Sequence, residues 1–429
     1  MKKIFFIIIF SLLFTSLNAE IEFKFYAKKA LDNNLQLKAE QKNLDSAKQD
    51  RNISRSEFLP SLTITGEQVS STSSNRTNQS GSNLTDTNLD SESKSIELEQ
   101  KIFSGFRGIN TFKKTELETD RAILKLKQTE QQTILDTASV YFDLIYKSKN
   151  EKFNSSNVSL FERQVETDSA RLQKGEITLT DLAQSESSLA GANANLIKAK
   201  TQLFSSKTSF ERITGEITPE VEQLNRKVLL DLPISLKLSL ETAELKNIDF
   251  LISKLDYEIS IKELNIERSR LSPSASINIS KSESSDFSSS IDEKDDESVK
   301  ATITWPIIKG GENVSSIKKS SFNKQRAQLI FKDTKNKILT ETSNYWSKYQ
   351  SSKGVLEATK AQLNAAEIAN EGITLEYDSG NTRTTLELIQ SRSLLLDARE
   401  AFAKAERDFM ISQFELAKQI GTLSLKSLK

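Results

Sequence analysis

The amino-acid sequence predicts a mainly α fold with a small β part, built as two copies of one unit: a β-hairpin followed by a long antiparallel helical hairpin. Three observations predict it. The chain repeats itself at offsets of 205 to 213 residues. It holds only five prolines and thirteen glycines in 429 residues, so helices run with few interruptions. Short stretches of period-two alternation separate long stretches of three-four spacing.

Lys2 and Lys3, an apolar run from Ile4 to Leu17 and a cut after Ala19 have the form of a secretory signal peptide. About 14 apolar residues are too few to span a bilayer. No cysteine follows the cut, so no lipid anchor is expected.

The duplication comes next, because a missed repeat misreads a fold. Asn34-Leu35, Arg55, Pro60 and Ser61 match Asn247-Ile248, Arg268, Pro273 and Ser274 at 213. Ile102-Phe103-Ser104-Gly105 matches Ile307-Ile308-Lys309-Gly310 at 205, as Gly175 matches Gly380; Gly215 matches Gly421 at 206. The offset falls where the polar segment Ser70–Ser95 faces its shorter counterpart Ser282–Ser298, read as loops. The chain thus divides into a signal peptide at 1–19, repeat 1 at 20–219, an equatorial linker at 220–236, repeat 2 at 237–421 and a tail at 422–429.

Each repeat opens with a helical stretch, Glu22–Glu57 and Ser239–Arg270, that stops before a proline. Hairpins follow at about 60–104 and about 273–308, where Leu62 and Ile64, Ile96 and Leu98, Ala275 to Ile279, and Val299 to Trp305 alternate with polar residues. Helical hairpins follow at about 106–214 and about 312–420. Thr111–Arg171 lacks proline and glycine, and Ile134, Ala138, Tyr141 and Ile145 form one stripe. Leu189 to Ile213 and Leu395 to Leu416 keep coiled-coil spacing with small residues at every second place. About 60 residues at 1.5 Å each give a helix of about 90 Å.

Lys+Arg and Asp+Glu both number 59, so no bulk charge draws the chain to nucleic acid. Histidine and cysteine are absent, which removes histidine triads, zinc sites and disulfides. No cofactor is expected. Four strands per chain leave two sheet edges, which hydrocarbon does not tolerate. Eight strands make a barrel filled by side chains; three chains make twelve strands and an open lumen.

These features resemble the TolC-type outer-membrane efflux family over the whole mature chain. The resemblance rests on Phe58-Leu59-Pro60-Ser61-Leu62, Ile102-Phe103-Ser104-Gly105-Phe106-Arg107, Trp305-Pro306-Ile307-Ile308-Lys309-Gly310-Gly311, Tyr377-Asp378-Ser379-Gly380 and Gln419-Ile420-Gly421. It implies a homotrimer with a twelve-stranded barrel in the outer-membrane lipid and a periplasmic helical tunnel. It also implies partners: a periplasmic adaptor (membrane fusion protein) and an inner-membrane RND or ABC transporter. Gly175 and Gly380 match the tip turns of the helical hairpins. Thr180 and Asp181 match the family's threonine-aspartate pair. Tyr377 and Arg383 match the tyrosine and arginine that hold adjacent coiled coils together across a closed mouth. Glu387 matches the first of two aspartates lining that mouth; Gln390 stands where the second would be, so one acidic ring is expected.

Two other readings compete. A secreted trimeric coiled-coil stalk or adhesin explains the heptads but not the duplicated hairpins. A periplasmic carboxylate enzyme would use Asp292, Glu293, Asp295, Asp296 and Glu297, which lack calcium-loop spacing and are expected in an outer loop.

Overall fold

A computed structural model describes residues 23–225, 228–288, 291–379 and 383–428. The signal segment 1–19 and the tip glycine Gly380 lie outside these residues. The chain forms two compact units. One comprises the described parts of Met1–Leu35, Thr129–Asn247 and Ile338–Lys429; the other comprises Gln36–Gln128 and Ile248–Lys337.

Each repeat yields the same elements. The first has α1 (Phe23–Asn33), α2 (Leu35–Arg55), β1 (Ser61–Ser73), β2 (Thr87–Ser104), α3 (Arg107–Gln173) and α4 (Leu179–Thr214). The second has α5 (Leu236–Lys246), α6 (Ile248–Arg268), β3 (Ser274–Ser288), β4 (Ile291–Thr304), α7 (Glu312–Asp378) and α8 (Thr385–Gln419). The opening helical stretches are each broken once, at Asn34 and at Asn247, which correspond in the duplication. Each interruption is tied down by a close approach. A Cβ on Gly215 would stand 2.4 Å from Asn33 Nδ2, and one on Gly421 would stand 2.0 Å from the Lys246 carbonyl oxygen. Both glycines have positive φ, +70° and +74°, a region that costs other residues energy. The matched glycines of the sequence are therefore packing points as well as helix stops.

In the unit that carries the strands, β1-β2-β3-β4 form one antiparallel sheet with β1 and β4 at its edges. Leu62, Leu98, Ile279 and Val299 lie in register across all four strands, with Ile64 opposite Ile96, Ile277 opposite Ala301 and Ala275 opposite Ile303. The other face carries Thr63, Glu97, Ser280 and Ser298 in register. Exposure is inverted from that of a soluble sheet: Leu62 is 64%, Ile64 73%, Val299 75% and Ile303 78% exposed. Among the described residues no helix is long and apolar enough to cross a membrane.

The strands run further than the sequence suggests. Pairing continues into both polar segments read as loops, Ser70–Ser95 and Ser282–Ser298, up to Ser73↔Thr87 and Ser288↔Ile291. The acidic cluster Asp292–Glu297 consequently lies in β4 rather than in a loop. Ladder bonds need no apolar face where both faces are wet. Lys281 pairs with Glu283 at 3.2 Å and with Glu297 of the neighbouring strand at 3.9 Å, and Lys294 with Asp296 at 2.6 Å, so part of the acidic charge is opposed. No glycine or proline interrupts 282–298, a continuation signal that hydropathy alone hides.

The other unit has an aromatic core. Phe23 meets Tyr141 and Phe414 edge-on at 5.3 and 5.1 Å, and Tyr26 meets Phe210 at 5.0 Å. Leu224, Val228, Leu423 and Leu428 join it, so segment 220–236 and the C-terminal tail close the core. Tyr141 donates its hydroxyl to the Asn225 carbonyl at 3.0 Å. Along the helical hairpins, small residues are buried every seventh position: Ser185, Ala192, Ala199 and Ser206 on α4, then Ser391, Ala398, Ala405 and Ser412 on α8.

Candidate functional site

The site gathers at the tips of the helical hairpins. α3 ends in a glycine stop: Gly175 (φ +74°) donates to the Leu172 carbonyl at 2.9 Å, and Glu176 donates to that of Arg171 at 3.0 Å. α4 then starts with a capping box. Asp181 Oδ2 accepts from the Thr178 N–H at 2.9 Å and its hydroxyl at 2.7 Å, while the Asp181 N–H donates to Thr178 Oγ1 at 3.3 Å. The Thr178 N–H and then its hydroxyl hold the Asp181 carboxyl below its ordinary value.

The second tip repeats the device. Glu387 Oε2 accepts from the Thr384 N–H at 2.8 Å and hydroxyl at 3.1 Å, and its own N–H donates to Thr384 Oγ1 at 3.2 Å. Its Oε1 accepts from Arg383 Nη1 at 3.1 Å, and Arg383 Nε donates to Glu376 at 2.6 Å. The Thr384 N–H, then Arg383, lower the Glu387 carboxyl; Glu376, then Glu387, raise the Arg383 guanidinium.

Tyr377 anchors a buried polar cluster that joins four helices. Its hydroxyl donates to Asp168 Oδ1 at 2.7 Å and lies 3.3 Å from Thr385 Oγ1. Gln164 donates to Asp168 at 2.9 Å and to the Tyr377 oxygen at 3.0 Å, and Ser185 Oγ donates to Asp168 Oδ2 at 2.5 Å. Asp168 has no solvent exposure and Tyr377 only 4%. The Arg171 guanidinium lies 4.6 Å from the Tyr377 ring centroid and pairs with Glu176 at 3.7 Å. Burial raises the Tyr377 phenol above its ordinary value. Such a carboxylate is costly to bury without donors; here three side chains, on α3, α4 and α7, donate to it.

The structure brings Tyr377 into that cluster and leaves Thr180 and Gln390 exposed on their helices. Asp181 and Arg383 are engaged with residues of their own tips rather than with each other. Glu387 serves as a cap and ion-pair partner as well as a candidate ring carboxylate. Asp168, Gln164, Ser185, Thr385 and Arg171 were not read from the sequence. A signal existed: Thr178-x-x-Asp181 and Thr384-x-x-Glu387 are capping patterns, and Gln164 and Asp168 continue the buried stripe of Phe161 on α3 as polar residues. Among the described residues no acidic cluster can hold a metal ion.

The sequence profile of the family described as "Outer membrane efflux protein" matches residues 26–216 and 242–422, one span for each repeat. The chain belongs to this family. Among its relatives, the outer membrane protein TolC of Escherichia coli is 24% identical, over 92% of this chain and 81% of its own length. The outer membrane efflux protein BepC of Brucella suis is 22% identical over 78% and 73%. Among solved structures, the CmeC outer membrane channel of Campylobacter jejuni aligns with a TM-score of 0.81 at 17% identity, covering 93% of this chain and 85% of CmeC. The outer membrane protein VceC of Vibrio cholerae aligns at 0.79 and 15%, covering 93% and 96%. This outer membrane efflux protein is a transport channel and not an enzyme, and it extends from the outer membrane into the periplasm. The secreted-stalk reading is thereby set aside. Channels of this type work with an adaptor and an inner-membrane pump, and homotrimers are characteristic of the family.

Proposed function

We propose that three copies of this chain join their four-stranded sheets into a twelve-stranded barrel and conduct cargo delivered by a periplasmic adaptor and an RND or ABC pump. The observation that carries this reading is the sheet itself: two edges unpaired among the described residues, one apolar face open to its surroundings and one polar face. In lipid both edges must pair, because each unsatisfied backbone group costs several kcal/mol.

Two sets of contacts hold the mouth. Within each protomer the Asp168 cluster fixes α3, α4, α7 and α8 at the tip. Between protomers Arg383 turns from its own Glu376 and Glu387 to the neighbour's Thr180 and Asp181, with the turn at Gly175 setting the approach. Exposed pairs of this kind contribute little singly, so an adaptor can undo them. Three Glu387 carboxylates form the single acidic ring, and Gln390 leaves out the second; multivalent cations then block weakly.

Electrophoresis of the detergent-extracted protein with and without heating, followed by planar-bilayer recording, tests the reading. A heat-modifiable trimer that opens discrete channels is expected. A monomer soluble without detergent would sink it.

A further inference from the structure

At the periplasmic ends of the strands lies a pocket of about 320 Å³ that the gate does not use. Arg107, Arg270 and Lys309 line it with Ser104, Ser274 and Thr304. The register assigns its side. Ser274 pairs with both Ser104 and Thr304, one residue away from the apolar-face set Phe103, Ala275 and Ile303. The pocket therefore opens on the polar face, which is the lumen in the twelve-stranded reading on which this inference rests.

Arg107 and Lys309 come from the two repeated strand-to-helix turns, and Arg270 from the turn between α6 and β3. Arg107 is the first residue of α3, reached through Gly105 at φ +63°. That glycine packs so closely that an added Cβ would stand 2.5 Å from Ser272 Cβ and 2.8 Å from the Ser269 carbonyl, which places the turn against the wall carrying Arg270. Lys309 occupies the same turn in the second repeat. Arg270 is shared with Glu267 at 2.8 Å and Glu312 at 3.7 Å. Arg107 and Lys309 form no ion pair among the described residues.

We propose that this pocket binds the phosphate monoester group of a soluble solute passing through the channel. The charge count selects the ligand: two uncompensated cations match a phosphate monoester, which carries about −1.5 to −2 at neutral pH. A carboxylate or a phosphodiester headgroup carries a single charge. Guanidinium and hydroxyl donors also suit several phosphate oxygens at once.

The test uses the full-length protein in planar bilayers at low, constant ionic strength, with chloride replaced by inorganic phosphate or by dimethyl phosphate, a mimic of the lipid diester. Inorganic phosphate is expected to reduce conductance saturably, with a half-blocking concentration at least tenfold below that of dimethyl phosphate. R107Q/K309Q raises the phosphate value at least tenfold while the heat-modifiable trimer persists, and R107K/K309R restores it. Phosphate block unchanged in R107Q/K309Q, or equal block by the diester, overturns the inference and leaves the barrel intact. If the wild-type protein opens no channels, the barrel reading fails and takes this inference with it.

Discussion

The two repeats share their backbone devices and differ in their chemistry. The capping boxes correspond, Thr178 and Asp181 with Thr384 and Glu387, as do the seven-spaced small residues of α4 and α8. α3 and α7 are both 67 residues long. At the offset of 205, however, buried Asp168 stands opposite Ile373, and Tyr377 stands opposite Leu172. Each repeat carries a polar residue where the other carries an apolar one, and the two polar residues meet at 2.7 Å. The backbone devices repeat, while the polar contact that ties α3 to α7 near the tips does not.

The largest expected effect separates the two packing glycines. In Gly421→Ala the new methyl meets backbone, the Lys246 carbonyl; in Gly215→Ala it meets the movable Asn33 side chain. Positive φ costs each about 1–3 kcal/mol, and overpacking against backbone adds about 1–3 kcal/mol to the first alone. Thermal unfolding of the two variants should show the greater loss in Gly421→Ala. Equal losses would mean that the contact with the Lys246 backbone adds nothing to the cost of the positive φ.

Next in size is restoration of the lost symmetry. Asp168→Ile gives the first repeat the residue of the second and leaves the Tyr377 and Ser185 hydroxyls without their acceptor. A buried unsatisfied group costs about 1–3 kcal/mol. The expected outcome is lower thermal stability together with higher single-channel conductance, because α7 is released from α3 at the mouth. Lower stability with unchanged conductance would confine Asp168 to packing.

This asymmetry also explains what was legible in the sequence. Duplicated features were readable because each appears twice: the strand hairpins, the glycine stops, the heptad of small residues. Asp168 was hidden because it has no counterpart, and one polar residue in a long helix carries no periodic signal. Resemblance to a gate points to Asp181 and Glu387 and carries no sign of their capping partners Thr178 and Thr384. The strand ends escaped for a different reason. Beyond Gln68 and Lys281 the alternation of hydropathy stops, and only the ladder defines the strands.

Cap removal should come third and should be alike in both repeats. Thr178→Ala and Thr384→Ala each remove the side-chain acceptor of a helix start and should cost about 1 kcal/mol. Matching shifts in denaturant midpoint would support equivalent boxes; a shift in one variant only would break the equivalence.

The smallest effect distinguishes the carboxylates within those boxes. Both have lowered native values, so each stabilises the fold above its unfolded value and loses that contribution as pH falls through the native one. The window lies below the ordinary carboxylate range of about 4. Asp181→Asn and Glu387→Gln should each reduce the loss of stability between pH 6 and pH 3. Their salt dependence should differ. Asp181 is held by uncharged donors alone, whereas Glu387 also faces Arg383 at 3.1 Å. At about 1 M salt the Debye length falls to about 3 Å, which weakens the Arg383 contribution and leaves the hydrogen bonds of Thr384. The acid response attributable to Glu387 should therefore shrink with salt, while that of Asp181 should not. Equal salt dependence would show that the second tip, like the first, is set by its cap alone.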